Sequence, residues 1–253
     1  MIEQLLPYGV EVTRITIIKD NLDVISSTIN HSISRSPDYI FTSGGLGPTY
    51  DDMTFEGTAK GLNPPVPMIL NEEALAMLKE RYRNIYPNVA EEKLMKPSRK
   101  KMAILPKGAI PLENPEGSAP GILIPSPMTN GKTKIICMPG IPTELKSIFL
   151  KHILPEIIEQ QKGTHFYQCG FVFEYIGESK FTEVIKNLVD EHKFPDIWIK
   201  THPKKKKNKT VELHLTSFSE NNSVREKMNK LYKLLKDQVF KQNGKIIKEN
   251  PLE

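Results

Sequence analysis

Residues 38–56, DYIFTSGGLGPTYDDMTFE, put a strand, a glycine turn, two adjacent carboxylates and a helix start into one run. Asp38 to Ser43 carries the β-branched and aromatic residues of a short buried strand. Gly44, Gly45 and Gly47 then let the backbone turn tightly and come close to a ligand. The helix expected from about Thr54 directs its free N–H groups and the positive end of its dipole at this loop, which is the physical basis of phosphate binding. Asp51 and Asp52 admit two readings. As caps they satisfy the orphan donors of the helix. Beside a bound anion they require a divalent cation, which makes the loop a metal–phosphate site. The loop lacks the Lys-Ser/Thr that ends a Walker loop, and its glycines do not follow the dinucleotide fingerprint, so those two readings fall away.

Outward from this stretch the chain alternates strands and helices. Met1 to Tyr8 reads as the end of a helix closed by Gly9, Val10 to Ile18 alternates like a strand, and Asn21 to Ser34 has the helical spacing of Leu22, Ile25, Ile29 and Ile33. Downstream, Asn63 to Pro67 is a proline-broken linker, and Asn71 caps a helix running towards Tyr86 with Glu72 and Glu73 in its first turn. Lys100 to Ile124 reads as two strands about the proline-bounded PEGSAPG. Lys132 to Met138 is a buried strand, and Pro139-Gly140-Ile141-Pro142 turns into a helix from about Thr143 to Gln161. This order predicts an α/β fold with βαβ units and a mostly parallel sheet.

The polar stretch Gln161 to Thr164 divides the chain into residues 1–162 and 163–253. The second part predicts strands over Phe166–Tyr175, Asp196–His202, Thr210–Ser217 and Lys245–Ile247, with helices over Glu178–Glu191 and Glu220–Gln242. That is a small α+β domain of order β-α-β-β-α-β. Of the basic and acidic side chains, residues 1–163 hold 18 and 18 and residues 164–253 hold 17 and 12, so the net charge of +5 arises in the second part. The run Lys204 to Lys207 reads as a solvated hairpin tip, with a weak nucleic-acid or membrane contact as the alternative.

Other features are read as structural. Cys137 and Cys169 lie in apolar strands with no Cys or His at ligand spacing, and are expected as buried, reduced thiols. His31, His152, His165, His192, His202 and His214 form no pair at metal spacing. Trp198 is expected in the core, and Tyr82 and Tyr86, with Arg81 and Arg83, on an exposed amphipathic helix. No apolar run approaches the roughly 20 residues of a membrane helix and nothing signals export, so a cytoplasmic protein is expected.

GGLGPTYDDMT, then PEGSAPG, then CMPGIPTEL, in this order, resemble the molybdopterin-binding-type domain shared by molybdenum cofactor biosynthesis proteins and the competence/damage-inducible CinA family, with CinA the nearer match. The resemblance implies a three-layer αβα domain followed by a KH-like domain, where Gly177-Glu178-Ser179 matches a Gly-Glu-Ser step after the first strand. The C-terminal deamidase domain of longer relatives is not matched, so amide hydrolysis is not expected. In the family a strand and a Gly-Asp-Glu-Leu type loop open the domain. Here Met1 falls inside or just before the following helix, and a gap in the sheet is expected.

The resemblance also implies site roles. Gly44, Gly45 and Gly47 cradle phosphate with Thr54. Asp52 is the essential carboxylate and Asp20 a second acid, both catalytic. Asp20, Asp51 and Asp52 would hold Mg²⁺ or another divalent metal, while Ser118, Ala119 and Gly140 approach the nucleotide or pterin ligand. With water as nucleophile the result is hydrolysis of an ADP-ribose-like pyrophosphate, and with a pterin phosphate and a nucleoside triphosphate it is adenylyl transfer. The family commonly self-associates, so a dimer or trimer is expected. A nonenzymatic nucleic-acid-binding module, or an inactive relic, stands as the third reading. Nucleic acid is not the expected partner, since residues 164–253 contain no Gly-x-x-Gly clamp.

Overall fold

The computed structural model describes Leu5, Tyr8 and residues 10–160, 165–192, 194–204, 208–219 and 223–252. Most of the helix expected over Met1–Tyr8, the boundary at Gln161–Thr164 and Lys205 to Lys207 lie outside the described residues. The chain forms two compact units, residues 14–156 and residues 157–253 together with 1–13.

In the first unit, α1 (Leu22–Ile33) starts where the Asn21 side chain accepts from the Asp23 and Val24 N–H groups, and it buries Ile25, Ile29 and Ile33 as their spacing predicts. The strand β1 (Tyr39–Ser43) leads through the glycine loop into α2 (Thr54–Gly61). A short β2 (Met68–Leu70) precedes α3 (Glu72–Ile85), capped by the Asn71 side chain on the Ala74 N–H. Two short helices, α4 (Glu91–Leu94) and α5 (Pro97–Lys101), lead to β3 (Ile104–Pro106), β4 (Ile110–Leu112), β5 (Gly121–Pro125) and β6 (Lys134–Met138). A helical run then comprises α6 (Pro142–Ile148), a π-helical turn (Phe149–Ile153) and α7 (Leu154–Gln160).

The α/β class holds, but the sheet is mixed. Its order is β1-β6-β5-β4, with β1 parallel to β6 and both other pairings antiparallel. The reason is connection length: β4, β5 and β6 follow one another through short loops, and a parallel pair needs a crossover of a dozen or more residues. Val10–Ile18 is not a strand. Residues 10–19 carry no ladder, and Ile15 and Ile17 are 69% and 95% exposed. Alternation alone does not make a strand where no neighbour takes up its backbone N–H and C=O groups.

The second unit has the order β7 (His165–Glu174), α8 (Glu178–His192), β8 (Trp198–Lys204), β9 (Thr210–Ser219), α9 (Ser223–Lys241) and β10 (Lys245–Asn250). Its antiparallel sheet runs β10-β7-β9-β8. Phe171 and Phe173 of β7 and Leu213 and Leu215 of β9 pack with Phe181 of α8 and Met228, Leu231 and Leu235 of α9 in one core. Cys137 and Cys169 are free and buried. Two expectations about aromatic residues are reversed. Trp198 alternates as a strand residue should, yet its side of β8 is the outer one and it is 72% exposed. Tyr82 is buried instead, with the Arg99 guanidinium 4.0 Å from its ring centre, so this helix turns an aromatic inward rather than towards solvent.

Candidate functional site

The parallel pair β1 and β6 ends in two adjoining turns, Gly44–Pro48 and Pro139–Ile141, tied by the Gly44 N–H donating to the Met138 carbonyl at 2.9 Å. The carboxyl ends of parallel strands are where open α/β sheets bind ligands. Gly44 and Gly45 have φ of +98° and +71°, a region side chains avoid. At Gly140 the approach is tight: a β-carbon there would come within 3.3 Å of Gly44 Cα. Thr54 pins the loop from below, its hydroxyl donating to the Gly44 carbonyl at 2.8 Å and its N–H to the Gly45 carbonyl at 3.1 Å.

Asp52 does not cap α2, whose start at Met53 has no side-chain cap. Its Oδ2 accepts from the Thr49 N–H at 2.9 Å and the Thr49 hydroxyl at 2.6 Å. The same hydroxyl reaches Asp51 Oδ1, and its single proton serves one acid at a time. Partial burial opposes the charge on Asp52. The bonds from Thr49 and the Gly47 N–H, with the Lys101 charge, outweigh it and hold the carboxyl below its ordinary 3.8. Lys101 reaches this loop by donating to the Thr49 carbonyl.

These turns open on a cavity of about 440 Å³, within the range of small-molecule sites. Of the expected residues, Gly44, Gly45, Gly47, Asp52, Ser118, Ala119 and Gly140 line it. Thr54 supports the lining from behind. Asp20 is exposed at the bend before α1 and is not among the lining residues, and neither is Asp51. Among the described residues no group of three or more His, Cys, Asp or Glu is gathered as a metal site, so the trio Asp20, Asp51 and Asp52 is not assembled.

Sequence reasoning passed over Glu144 and Tyr82, which line the cavity, and Asn114, which shapes its rim. The Asn114 side-chain oxygen accepts from the Glu116 N–H at 3.2 Å and the Gly117 N–H at 2.8 Å. Its amide donates to the Ala119 carbonyl at 2.9 Å and to Glu144 Oε2 at 2.7 Å. Three of the four hydrogen bonds of this buried side chain thus hold the Ser118 loop, and the fourth ties it to Glu144 of α6. From outside, Arg81 donates to the Pro115 and Glu116 carbonyls. The Asn-Pro step was a visible turn signal. Glu144 looked like an ordinary acid in the first turn of a helix.

Comparisons with known proteins identify the family of the chain. Residues 1–159 match the family described as a probable molybdopterin binding domain. A protein of Sulfurisphaera tokodaii is 38% identical over 96% of this chain and 88% of its own length. One of Metallosphaera sedula is 40% identical over 78% of this chain and 68% of its own. The crystal structure of a CinA protein of unknown function from Thermoplasma acidophilum shares 37% identity with a TM-score of 0.52, over 62% of this chain and 85% of that one. The chain therefore belongs to the molybdopterin-binding-domain family, and its domain is CinA-like.

Proposed function

We propose that this chain is a metal-dependent nucleotide pyrophosphatase acting on ADP-ribose-like substrates. The observation that carries the reading is Asp52, its carboxylate held by the Thr49 N–H and hydroxyl, on the wall of a cavity built from two glycine turns at the carboxyl ends of parallel strands. The donor set fits a hard divalent ion such as Mg²⁺, which takes one or two carboxylates together with phosphate oxygens, and Asp52 and Glu144 both line the cavity. When bound, such an ion neutralises the pyrophosphate and polarises phosphorus. The rest falls to the chain. The glycine turns let backbone approach the phosphates, Ser118 offers its hydroxyl, and Asp52 stays charged at neutral pH. Water adding at phosphorus with cleavage of the bridging P–O bond converts ADP-ribose into AMP and ribose 5-phosphate. Asp20, which does not line the cavity, has no part in this scheme.

The test is release of AMP from ADP-ribose with Mg²⁺ or Co²⁺. Asp52→Ala should lower turnover by about 100-fold or more, whereas Asp20→Ala should leave it within a few-fold. The family description favours a second reading, molybdopterin binding or adenylylation. Pyrophosphate released from ATP only when a pterin phosphate is present would establish that one. Absence of ADP-ribose turnover in the wild-type protein would remove the hydrolase reading.

A further inference from the structure

In the second unit both helices pack on one face of the sheet, and the other face carries Trp198, Lys200 and His202 along β8, exposed while the intervening Ile199 and Thr201 are half-buried. On β9 the cross-strand partners are Thr216, His214 and Glu212, and two residues beyond Thr216 stands Phe218, opposite Phe166 of β7. The Phe166 and Phe218 rings lie 4.8 Å apart, and Phe218 is diagonal to Trp198, so three aromatic side chains occupy one end of this face. An indole left 72% exposed on a sheet face is a cost to an isolated unit and an asset to one that stacks a ligand on it. Next along β8 the face becomes cationic. Lys200 forms no ion pair with a described residue, the His202 and His214 rings meet at 5.5 Å, and Lys204 shares Glu212 with His214.

We propose that this face binds single-stranded nucleic acid, with bases stacked on Trp198 and the Phe166–Phe218 pair and the phosphates directed along Lys200. Aromatic platforms beside a cationic track are the shared physics of proteins that hold unpaired strands on an open sheet. Charge complementarity selects this occupant over a second copy of the chain. The net charge of the whole protein arises in residues 164–253, and like charges would face each other across a self-association interface.

Trp198 is the only tryptophan, so its emission reports on this site alone. The full-length protein is titrated at low salt with fluorescein-labelled oligouridylate and oligothymidylate of about 12 nucleotides, reading anisotropy, and with the unlabelled strands, reading tryptophan emission. Saturable quenching in step with the anisotropy rise is expected, weakening as salt is added. Trp198→Ala should weaken binding by about 5-fold to 100-fold, the range for losing one stacked base. Trp198→Phe should retain most of it. Lys200→Ala should reduce the slope of log affinity against log salt by about 1. Where Trp198→Ala does not fold, Lys200→Glu tests the same face. An anisotropy rise without quenching would place binding elsewhere and overturn the proposal, as would no binding at all. Tryptophan emission and mass that change with protein concentration alone would show that a second copy covers the face, which also overturns it.

Discussion

Asp52 illustrates how one carboxylate is prepared by its neighbours. Its folded value lies below the ordinary 3.8, so its contribution to stability is fully present above that range and is lost as pH falls through the folded value. Asp52→Asn should accordingly flatten the acid limb of the Tm against pH curve between about pH 5 and pH 2. An unchanged limb would show that Thr49 and Gly47 do not hold the charge. Gly45 makes the complementary prediction. A β-carbon there would overlap the Thr54 hydroxyl, and φ is +71°, so Gly45→Ala should cost about 1–3 kcal/mol in urea unfolding and loosen the loop. At the rim, Glu144→Gln keeps an oxygen for the Asn114 amide and Glu144→Ala removes it. Comparing the two in turnover and in loop protection separates charge from positioning.

Among the elements, the Asn71 cap and the apolar periodicity of α1 were legible in local sequence and are found, because both are set by neighbours within four positions, whereas the capping role open to Asp51 and Asp52 is not taken up. Asn71 accepts from the Ala74 N–H at 2.9 Å, and Asn71→Ala should lower stability by about 1 kcal/mol, measured by denaturant midpoint. Strands behave differently. Val10–Ile18 has the alternation of β1 but, unlike β1, no ladder, since a strand is a property of a pair. Amides of residues 10–19 should exchange with solvent without protection, while those of Lys134–Met138 resist. Slow exchange over 12–18 would mean that this segment pairs in solution. The same dependence on partners left one parallel pairing, β1 with β6, where a mostly parallel sheet is expected.

Across the whole molecule, each unit stands on its own core. Phe173, fully buried in the second, should cost about 3–5 kcal/mol as Phe173→Ala. Burial pushes both thiols up, Cys169 to about 12, so Cys137 and Cys169 should resist thiol reagents at pH 8 until the protein is denatured. Sequence by itself determined the glycine turns, the Asn71 cap, the buried strand over 134–138, the element order of the second part and the family, since these depend on short-range geometry and on motifs in a fixed order. Tertiary structure alone decided that Asp52 bonds to Thr49 instead of capping α2, that Glu144 and Tyr82 join Ser118 at one cavity, and that Asp20 is not among its lining residues. It alone decided, too, that Trp198 faces outward. Alternation along a strand says that two faces exist, and only the elements packed against the sheet say which of them is covered.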